Sequence, residues 1–283
     1  MSVPLKTIVF RQDQLAFRDQ GKGRVVVLLH GYLANSAIFE GLAANLAKRY
    51  RVVSIDLPGH GGSACYGYAH SMEMMAMAVK AVLDTLKLKK YVLIGHSMGG
   101  YTALAFAEMF PDALRGMCLL NSTAYADSDE KKLDRLRAIR VLKSDKKLYT
   151  RSTIENLFAR KNLRYLKEEI KLAQSIARQT SQRGMIAALH GMRDRPSREM
   201  VLGMVHYPVM MVIGELDNVL DPKLLLEQSE SIQDKTVLYL EHDGHYSFLE
   251  SPRQTAKSLR SFLNKCYKLK VRRPSQPTES PDL

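Results

Sequence analysis

Short apolar runs recur along the chain, and segments with helical or turn-rich patterns separate them. The first two runs flank a polar turn and predict a hairpin, whereas Val25–Leu29 and Val52–Ile55 are continuous enough for central strands of a parallel sheet. The predicted strands are Thr7–Phe10, Leu15–Phe17, Val25–Leu29, Val52–Ile55, Tyr91–Ile94, Gly116–Leu120, Val209–Ile213 and Thr236–Leu240. The pattern predicts the α/β class, with an eight-stranded, mostly parallel sheet flanked by helices.

One interval departs from this alternation of strands and helices. Between Asn121 and Tyr207 no buried strand is predicted, and basic amphipathic stretches occupy residues 129–142 and 162–178. A structureless connection of that length is uncommon in a compact domain. The sequence therefore predicts a core made of residues 1–121 and 208–268, with residues 122–207 inserted as a helical subdomain. Residues 271–283 contain three prolines and few apolar side chains, and are predicted to be a disordered tail.

The composition is that of a globular protein, because 46% of the 283 residues are hydrophobic. No apolar stretch reaches the roughly 18–20 residues that cross a bilayer, and the N-terminus has no secretory signal pattern. We therefore expect a cytoplasmic protein without a membrane span. The three cysteines are odd in number and far apart, which argues against a disulfide framework and a zinc site.

The formal net charge of +13 raises the possibility of a nucleic-acid partner. Much of the excess lies in residues 127–200, which carry 19 Lys and Arg against 10 Asp and Glu. No nucleic-acid-binding signature accompanies these charges, and both signs are mixed along the predicted helices. We therefore expect a solvated basic helix face without a nucleic-acid partner, a face that could also favour acidic substrates.

A glycine-flanked serine is the clearest candidate for chemistry. Gly95-His96-Ser97-Met98-Gly99 lies between the predicted strand Tyr91–Ile94 and a helix predicted over Tyr101–Ala107. So tight a reversal forces its central residue into a strained conformation, and the glycines remove Cβ atoms that would collide. Ser97 would then be held at the tip of the turn. The N-terminus of the following helix would place free N–H groups and its positive dipole end beside the serine oxygen.

Further motifs follow other predicted strands in chain order. They are His30-Gly31-Tyr32, Asp56-Leu57-Pro58-Gly59-His60-Gly61-Gly62-Ser63, Gly214-Glu215-Leu216-Asp217 and Asp243-Gly244-His245. With this series the chain resembles the α/β-hydrolase fold superfamily, and in particular its serine hydrolases with a helical cap, over roughly residues 25–262. The resemblance implies that residues 122–207 are that cap, and that the turn from Asp56 to Ser63 is structural.

A serine hydroxyl needs a base to remove its proton, and histidine is the side chain suited to this near neutral pH. His245 is the best candidate because it follows the last strand on a glycine-containing turn, with His242 as its rival. A carboxylate should orient the imidazole. Asp217 fits the Ser-Asp-His order of this fold, whereas Glu215 and Asp221 are alternatives, Asp221 being equally suited to cap the helix begun by Pro222.

An oxyanion formed on the substrate needs two converging backbone N–H donors. Met98 would supply one of them, as the residue after the nucleophile. The resemblance places the second at Tyr32, on the loop that leaves the first central strand. Because the donors are backbone groups, the identity of either side chain is a weak constraint.

These residues predict a carboxylesterase-like serine hydrolase that cleaves a small ester through an acyl-enzyme, with no metal or cofactor. One alternative within the fold is a carbon–carbon bond hydrolase or a lyase similar to menaquinone-pathway synthases, acting on a carboxylated substrate. Convergent arginines of the inserted segment would favour that alternative, and a wide apolar pocket would favour an esterase. A small-molecule receptor with an intact triad is the alternative from another class. The candidate arginines are Arg135, Arg137, Arg140, Arg160, Arg164, Arg193, Arg195 and Arg198.

Overall fold

The computed structural model describes residues 3–268 and contains one sheet of eight strands. The strands are β1 (Lys6–Phe10), β2 (Asp13–Gln20), β3 (Val25–Leu29), β4 (Arg51–Ile55), β5 (Tyr91–His96), β6 (Leu114–Leu120), β7 (Val209–Gly214) and β8 (Lys235–Leu240). Their order in the sheet is β1-β2-β4-β3-β5-β6-β7-β8. The β1–β2 and β2–β4 pairs are antiparallel and all the others are parallel. The predicted fold class is confirmed.

Eleven α-helices accompany the sheet within the described residues. They are α1 (Glu40–Leu46), α2 (Met72–Thr85), α3 (Met98–Met109), α4 (Asp129–Ser144), α5 (Lys146–Asn156), α6 (Lys167–Gln179), α7 (Gln182–Arg193), α8 (Glu199–Met204), α9 (Pro222–Ser229), α10 (Ser247–Glu250) and α11 (Pro252–Lys268). None of these helices has the length and apolar character that crossing a bilayer requires. The tail predicted for residues 271–283 lies outside the described residues.

Burial explains which strands occupy the centre. Every residue of β3, β5 and β7 is buried, as expected of strands covered by helices on both faces. The last strand, β8, lies at the sheet edge and is more exposed, with exposed and half-buried positions alternating up to the buried Leu240. The chain adds β4 on one side of β3 and then returns to add β5 on the other. Loops that leave β3 and β5 at the carboxyl edge therefore diverge, and such a switch in direction opens a crevice where α/β proteins bind ligands.

Helices α4 to α8 all lie between β6 and β7, in the interval predicted to hold a helical insertion. We call residues 122–207 the inserted segment. Within it α4 packs against α7 and α5, and α5 packs against α6. The assignment of residues 1–121 and 208–268 to one domain and of the inserted segment to another stays a prediction.

The expectation of a solvated basic face is wrong for part of the inserted segment. The Arg195 and Arg198 side chains are each only 4% exposed. Arg195 pairs with the buried carboxylate of Asp127, and Arg198 lies between Glu73 of α2 and Glu108 of α3. Part of the positive charge thus fastens the inserted segment internally and to the core helices.

Candidate active site

Ser97 occupies the turn between β5 and α3 with φ 49° and ψ −115°, a positive-φ conformation that residues other than glycine rarely adopt. A Cβ at Gly95 would lie 2.3 Å from the Gly99 carbonyl oxygen, and one at Gly99 would lie 2.1 Å from that of Leu29. Both positions therefore require glycine. The Ser97 N–H donates to the Leu120 carbonyl at 3.0 Å, which fixes the turn to the end of β6. Backbone strain of this kind costs about 1–3 kcal/mol and persists because the surroundings enforce it.

His245 and Asp217 form a buried pair on the loops that follow β8 and β7. The His245 Nδ1–H donates to Asp217 Oδ2 at 2.7 Å, which leaves Nε2 unprotonated and able to accept a proton. The backbone N–H groups of Val219 and Leu220 donate to Asp217 Oδ1 at 2.8 and 3.1 Å. Burial alone raises the pKa of Asp217, but the charge and hydrogen bond of His245, with the two backbone donors, hold that pKa below its ordinary value.

The inserted segment also holds the loop that carries His245. The His245 N–H donates to the Leu157 carbonyl at 2.9 Å. The Glu250 carboxylate accepts from the Gly244 N–H at 2.8 Å and from the Asn162 amide at 2.7 Å. The position of the imidazole therefore depends on residues just beyond α5, which the sequence analysis did not single out.

A cavity of about 310 Å³ brings these loops together, at the small end of the usual range for ligand pockets. Ser97 and His245 line it from the sheet side, and α4, α5 and α7 line it from the inserted segment. Among the described residues no hydrogen bond joins Ser97 Oγ to His245 Nε2, and this contact is often loose in ligand-free hydrolases. The lining residues are Tyr32, His96, Ser97, Tyr101, Lys131, Asp134, Arg135, Ala138, Tyr149, Thr153, Asn156, Leu157, Leu189, Met192, Asn218, Val219 and His245.

The two predicted oxyanion donors flank the same region. Met98 is the first residue of α3, so its N–H has no partner within the helix. Within residues 3–268 neither the Met98 nor the Tyr32 N–H donates a hydrogen bond to the protein. The Tyr32 ring also contributes to the cavity wall, where its hydroxyl accepts from that of Tyr149 at 3.2 Å. Both amides are therefore without a protein acceptor among the described residues.

Three buried histidines support this region rather than compete with His245. His96 Nε2 donates to the His245 carbonyl at 2.9 Å, and its ring stacks on Tyr246 with centroids 5.0 Å apart. His30 Nε2 accepts from the Leu57 N–H at 2.8 Å and joins the loops after β3 and β4. Burial lowers the pKa of His96 to about 3, that of His30 to about 4 and that of His60 to about 3, so all three are neutral near pH 7.

The alternative residues lie elsewhere. His242 is exposed, with Nδ1 2.9 Å from Lys161 Nζ. Asp221 caps α9 by accepting from the Lys223 N–H at 2.9 Å, and Glu215 is exposed. The geometry therefore brings Ser97, Asp217 and His245 into one site and leaves the rivals outside it.

Of the eight arginines considered from the sequence, Arg135 alone lines the cavity. Its Nε–H donates to Asp127 Oδ2 at 3.0 Å. Across the described part of the chain, no cluster of three or more His, Cys, Asp or Glu side chains is arranged to hold a metal ion. The Lys, Arg and Asp side chains that line the cavity are Lys131, Arg135 and Asp134.

Comparison with known proteins places this geometry in a family context. A family model described as alpha/beta hydrolase fold matches residues 24–252. The structure of a malate-bound thermophilic esterase from Thermogutta terrifontis superimposes with a TM-score of 0.86 at 28% identity, covering 94% of this chain and 99% of that one. The 2-(acetamidomethylene)succinate hydrolase of Mesorhizobium japonicum is 26% identical, over 88% of this chain and 91% of that protein.

A more local similarity links the chain to an uncharacterized protein of Mycobacterium tuberculosis. The two are 35% identical over 107 residues, which are 38% of this chain and 31% of the other protein. The chain thus matches about a third of the length of that relative.

Proposed function

The chain belongs to the alpha/beta hydrolase fold family, and we propose that it is a serine hydrolase that cleaves small carboxylic esters through an acyl-enzyme. The observation that carries this proposal is the Asp217–His245 hydrogen bond of 2.7 Å, formed beside a serine in a strained turn on one cavity. Nucleophile, base and orienting carboxylate are the parts that acyl transfer requires. The esterase and hydrolase names of its relatives favour the same class of reaction.

In the proposed reaction Ser97 Oγ attacks the ester carbonyl while His245 Nε2 takes the hydroxyl proton. The tetrahedral intermediate then expels the alcohol, which receives that proton from His245, and an acyl-serine remains. Water then attacks the acyl-serine while His245 takes its proton, and His245 returns that proton to Ser97 Oγ as the carboxylic acid leaves. Asp217 keeps the imidazole proton on Nδ1 and stabilises the imidazolium formed in each step.

The Tyr32 and Met98 amides are the proposed oxyanion hole. Both are free of protein acceptors within the described residues, and Met98 adds the positive end of the α3 dipole. Preformed donors of this kind stabilise charge as it develops, and loss of one typically costs about 10²–10³ in kcat. This chemistry uses only groups of the chain and requires no cofactor.

The inserted segment is the proposed cap of the site. Helices α4, α5 and α7 contribute much of the cavity lining, so this segment sets the size and polarity of the acyl or alcohol group that fits. A volume of about 310 Å³ suits a small substrate. The cavity is neither wide nor purely apolar, which departs from the pocket expected of a general esterase.

A carbon–carbon bond hydrolase is the second candidate, and Arg135 is the observation that favours it. This arginine faces the cavity, as expected for a carboxylated substrate. The names of two relatives also point to carboxylated ligands, since one acts on a substituted succinate and the other is an esterase solved with malate. Carboxylate recognition is equally compatible with an ester substrate, and the fold and the triad do not separate the two reactions. The esterase name of the solved relative favours the ester.

Labelling with a fluorophosphonate probe tests the proposed nucleophile. The wild-type protein should be labelled and turn over para-nitrophenyl butyrate, whereas Ser97→Ala should lose the label and at least about 10³-fold in kcat. Ser175→Ala is the matched control, because Ser175 is exposed on α6 and away from the cavity. Failure of the folded wild type to react, or labelling of Ser97→Ala, would refute the proposal. A stoichiometric burst without further turnover would instead indicate a receptor.

A further inference from the structure

A buried ionic cluster lies behind the cavity wall formed by α4. The Asp127 side chain is fully buried and pairs with Arg135 Nε at 3.0 Å and with an Arg195 terminal amino group at 2.7 Å. Arg195 has further partners, since it donates to the Met192 carbonyl at 2.7 Å and lies 3.9 Å from the centroid of the Tyr101 ring. The Asp127 carboxylate and both terminal amino groups of Arg195 are therefore engaged by the protein.

Arg135 differs from Arg195 because only its Nε is engaged. Within residues 3–268 its two terminal amino groups make no hydrogen bond to the protein, although the side chain is only 16% exposed and lines the cavity. The bond to Asp127 fixes the guanidinium by one edge. The remaining N–H groups are left to a ligand, in the planar arrangement that matches a carboxylate.

Lys131 adds a second cation on the same face of α4, one helical turn before Arg135. It lines the cavity, and its ammonium group donates to the Val219 carbonyl at 2.7 Å without a carboxylate partner among the described residues. Burial and then the charge of Arg135 lower the pKa of Lys131. The nearby Asp134 is exposed at the rim and pairs with Arg137 at 2.7 Å. The cavity wall thus carries more positive than negative charge.

Arg135 and Arg195 share the single carboxylate of Asp127, and Lys131 has no carboxylate partner among the described residues. This partly buried group therefore keeps an excess of positive charge, which is costly and which a bound anion would offset. Ala138, Leu189 and Met192 supply apolar surface in the same cavity, suited to a short hydrocarbon chain. We propose that Arg135 and Lys131 form an anion subsite that binds a free carboxylate of the substrate, so that the preferred ester is an acidic one. This inference rests on the serine hydrolase function proposed above.

Matched ester pairs test the subsite. One member is para-nitrophenyl hydrogen adipate, which carries a free carboxylate, and the other is para-nitrophenyl methyl adipate, in which that group is neutral. Suberate esters form a second pair with a longer chain. Because a charged hydrogen-bonded pair contributes about 1.5–3 kcal/mol, the wild type should prefer the acidic ester of at least one pair by about 10- to 100-fold in kcat/KM.

Arg135→Gln should reduce this preference, measured as the ratio of kcat/KM for the two esters of a pair, to about 3-fold or less. Arg137→Gln is the matched control, since this exposed arginine lies two positions further along α4 and outside the cavity. It should keep the full preference. Lys131→Gln should lower the preference for the acidic ester by a smaller factor than Arg135→Gln does. Because it leaves the Asp127 ion pairs intact, it tests the subsite even if Arg135→Gln does not fold.

The outcomes separate the two proposals. Hydrolysis that depends on Ser97 but shows no wild-type preference for either acidic ester would overturn the subsite and leave the hydrolase function standing. A preference that survives both Arg135→Gln and Lys131→Gln would also overturn it. Absence of both labelling and hydrolysis in the folded wild type would overturn the hydrolase proposal, and the subsite with it.

Discussion

Replacement of Asp217 by asparagine separates the role of the carboxylate charge from that of its shape. In the structure Asp217 Oδ2 accepts the His245 Nδ1 proton at 2.7 Å, and Oδ1 accepts two backbone N–H groups. An asparagine can keep its oxygen towards the backbone donors only by turning its NH₂ group towards His245. The imidazole must then accept at Nδ1 and carry its proton on Nε2, the nitrogen that should receive the proton of Ser97.

The expected loss follows from the charges. An imidazolium and a carboxylate with charge centres about 4 Å apart interact by about 4 kcal/mol at an effective dielectric constant of about 20, or nearly a thousandfold in rate. The wrong tautomer adds to that loss. We therefore expect Asp217→Asn to lower kcat by about 10³–10⁴-fold, in line with the same substitution in a serine protease. KM for para-nitrophenyl butyrate should change by less than about 3-fold, because Asp217 does not line the cavity.

Steady-state kinetics and the rate of fluorophosphonate labelling measure the effect on the attack by Ser97. Asp221→Asn is the control, since asparagine caps a helix as well as aspartate does and Asp221 only caps α9. It should retain wild-type kcat. If folded Asp217→Asn keeps more than about a tenth of wild-type kcat, the tautomer argument is wrong and Asp217 is not the orienting carboxylate.

Two further predictions concern packing and pH. Gly31→Ala would place a Cβ 2.6 Å from His96 Nδ1 and 3.2 Å from the Ser97 Cβ, and the stacked His96 ring has little room to yield, so kcat should fall by about 10- to 100-fold. Acidification should reduce the free energy of unfolding measured in urea. Histidines of the unfolded chain bind protons below about pH 6.5, whereas the buried histidines of the folded protein bind them only below about pH 3–4. The loss should approach about 1.4 kcal/mol per pH unit for each histidine. These histidines are His30, His60, His70 and His96.

Each of these predictions has a matched test. Gly41→Ala is the counterpart of Gly31→Ala, because a Cβ at Gly41 would meet nothing within 4 Å, and activity there should not change. Equal activity of the two variants would contradict the packing argument. For the pH effect, His70→Gln should remove the uptake of about one proton on unfolding between about pH 6.5 and 5. The free energy of unfolding should then depend on pH less steeply, by up to about 1.4 kcal/mol per pH unit. Asp243 and Glu250 act with the opposite sign, since burial raises the pKa of each above its ordinary value. An unchanged slope in His70→Gln would refute the assignment.

The sheet could be predicted from the sequence because its central strands are continuous apolar runs. The prediction for β2 covered Leu15–Phe17, whereas the strand extends over Asp13–Gln20. Antiparallel pairing with β1 and β4 continues through exposed and half-buried polar residues, which an apolar run does not include. The strand order β4-β3-β5 could not be predicted from the apolar pattern either, since it depends on the side of β3 on which each connection packs.

The candidate site divides in the same way. Ser97, Asp217 and His245 follow strand ends, where position in the chain limits position in space. Arg135 had no such signal, because it was one of eight candidate arginines in a basic segment, and formal charge does not distinguish a buried cation from a solvated one. Only the packing of α4 against α7 shows that Arg135 faces the cavity while Arg137 faces solvent.

The inserted segment is tied to the proposed chemistry as well as to recognition. It supplies Arg135 to the cavity, and through the Leu157 carbonyl and the Asn162 amide it also holds the loop that carries His245. Substitutions in this segment that alter substrate preference are therefore constrained. Residues 157–162 must keep their hydrogen bonds to the core, whereas the cavity-lining residues of α4 and α7 can vary. The inserted segment thus contains both kinds of residue: those just beyond α5 position the proposed base, and those of α4 and α7 line the cavity.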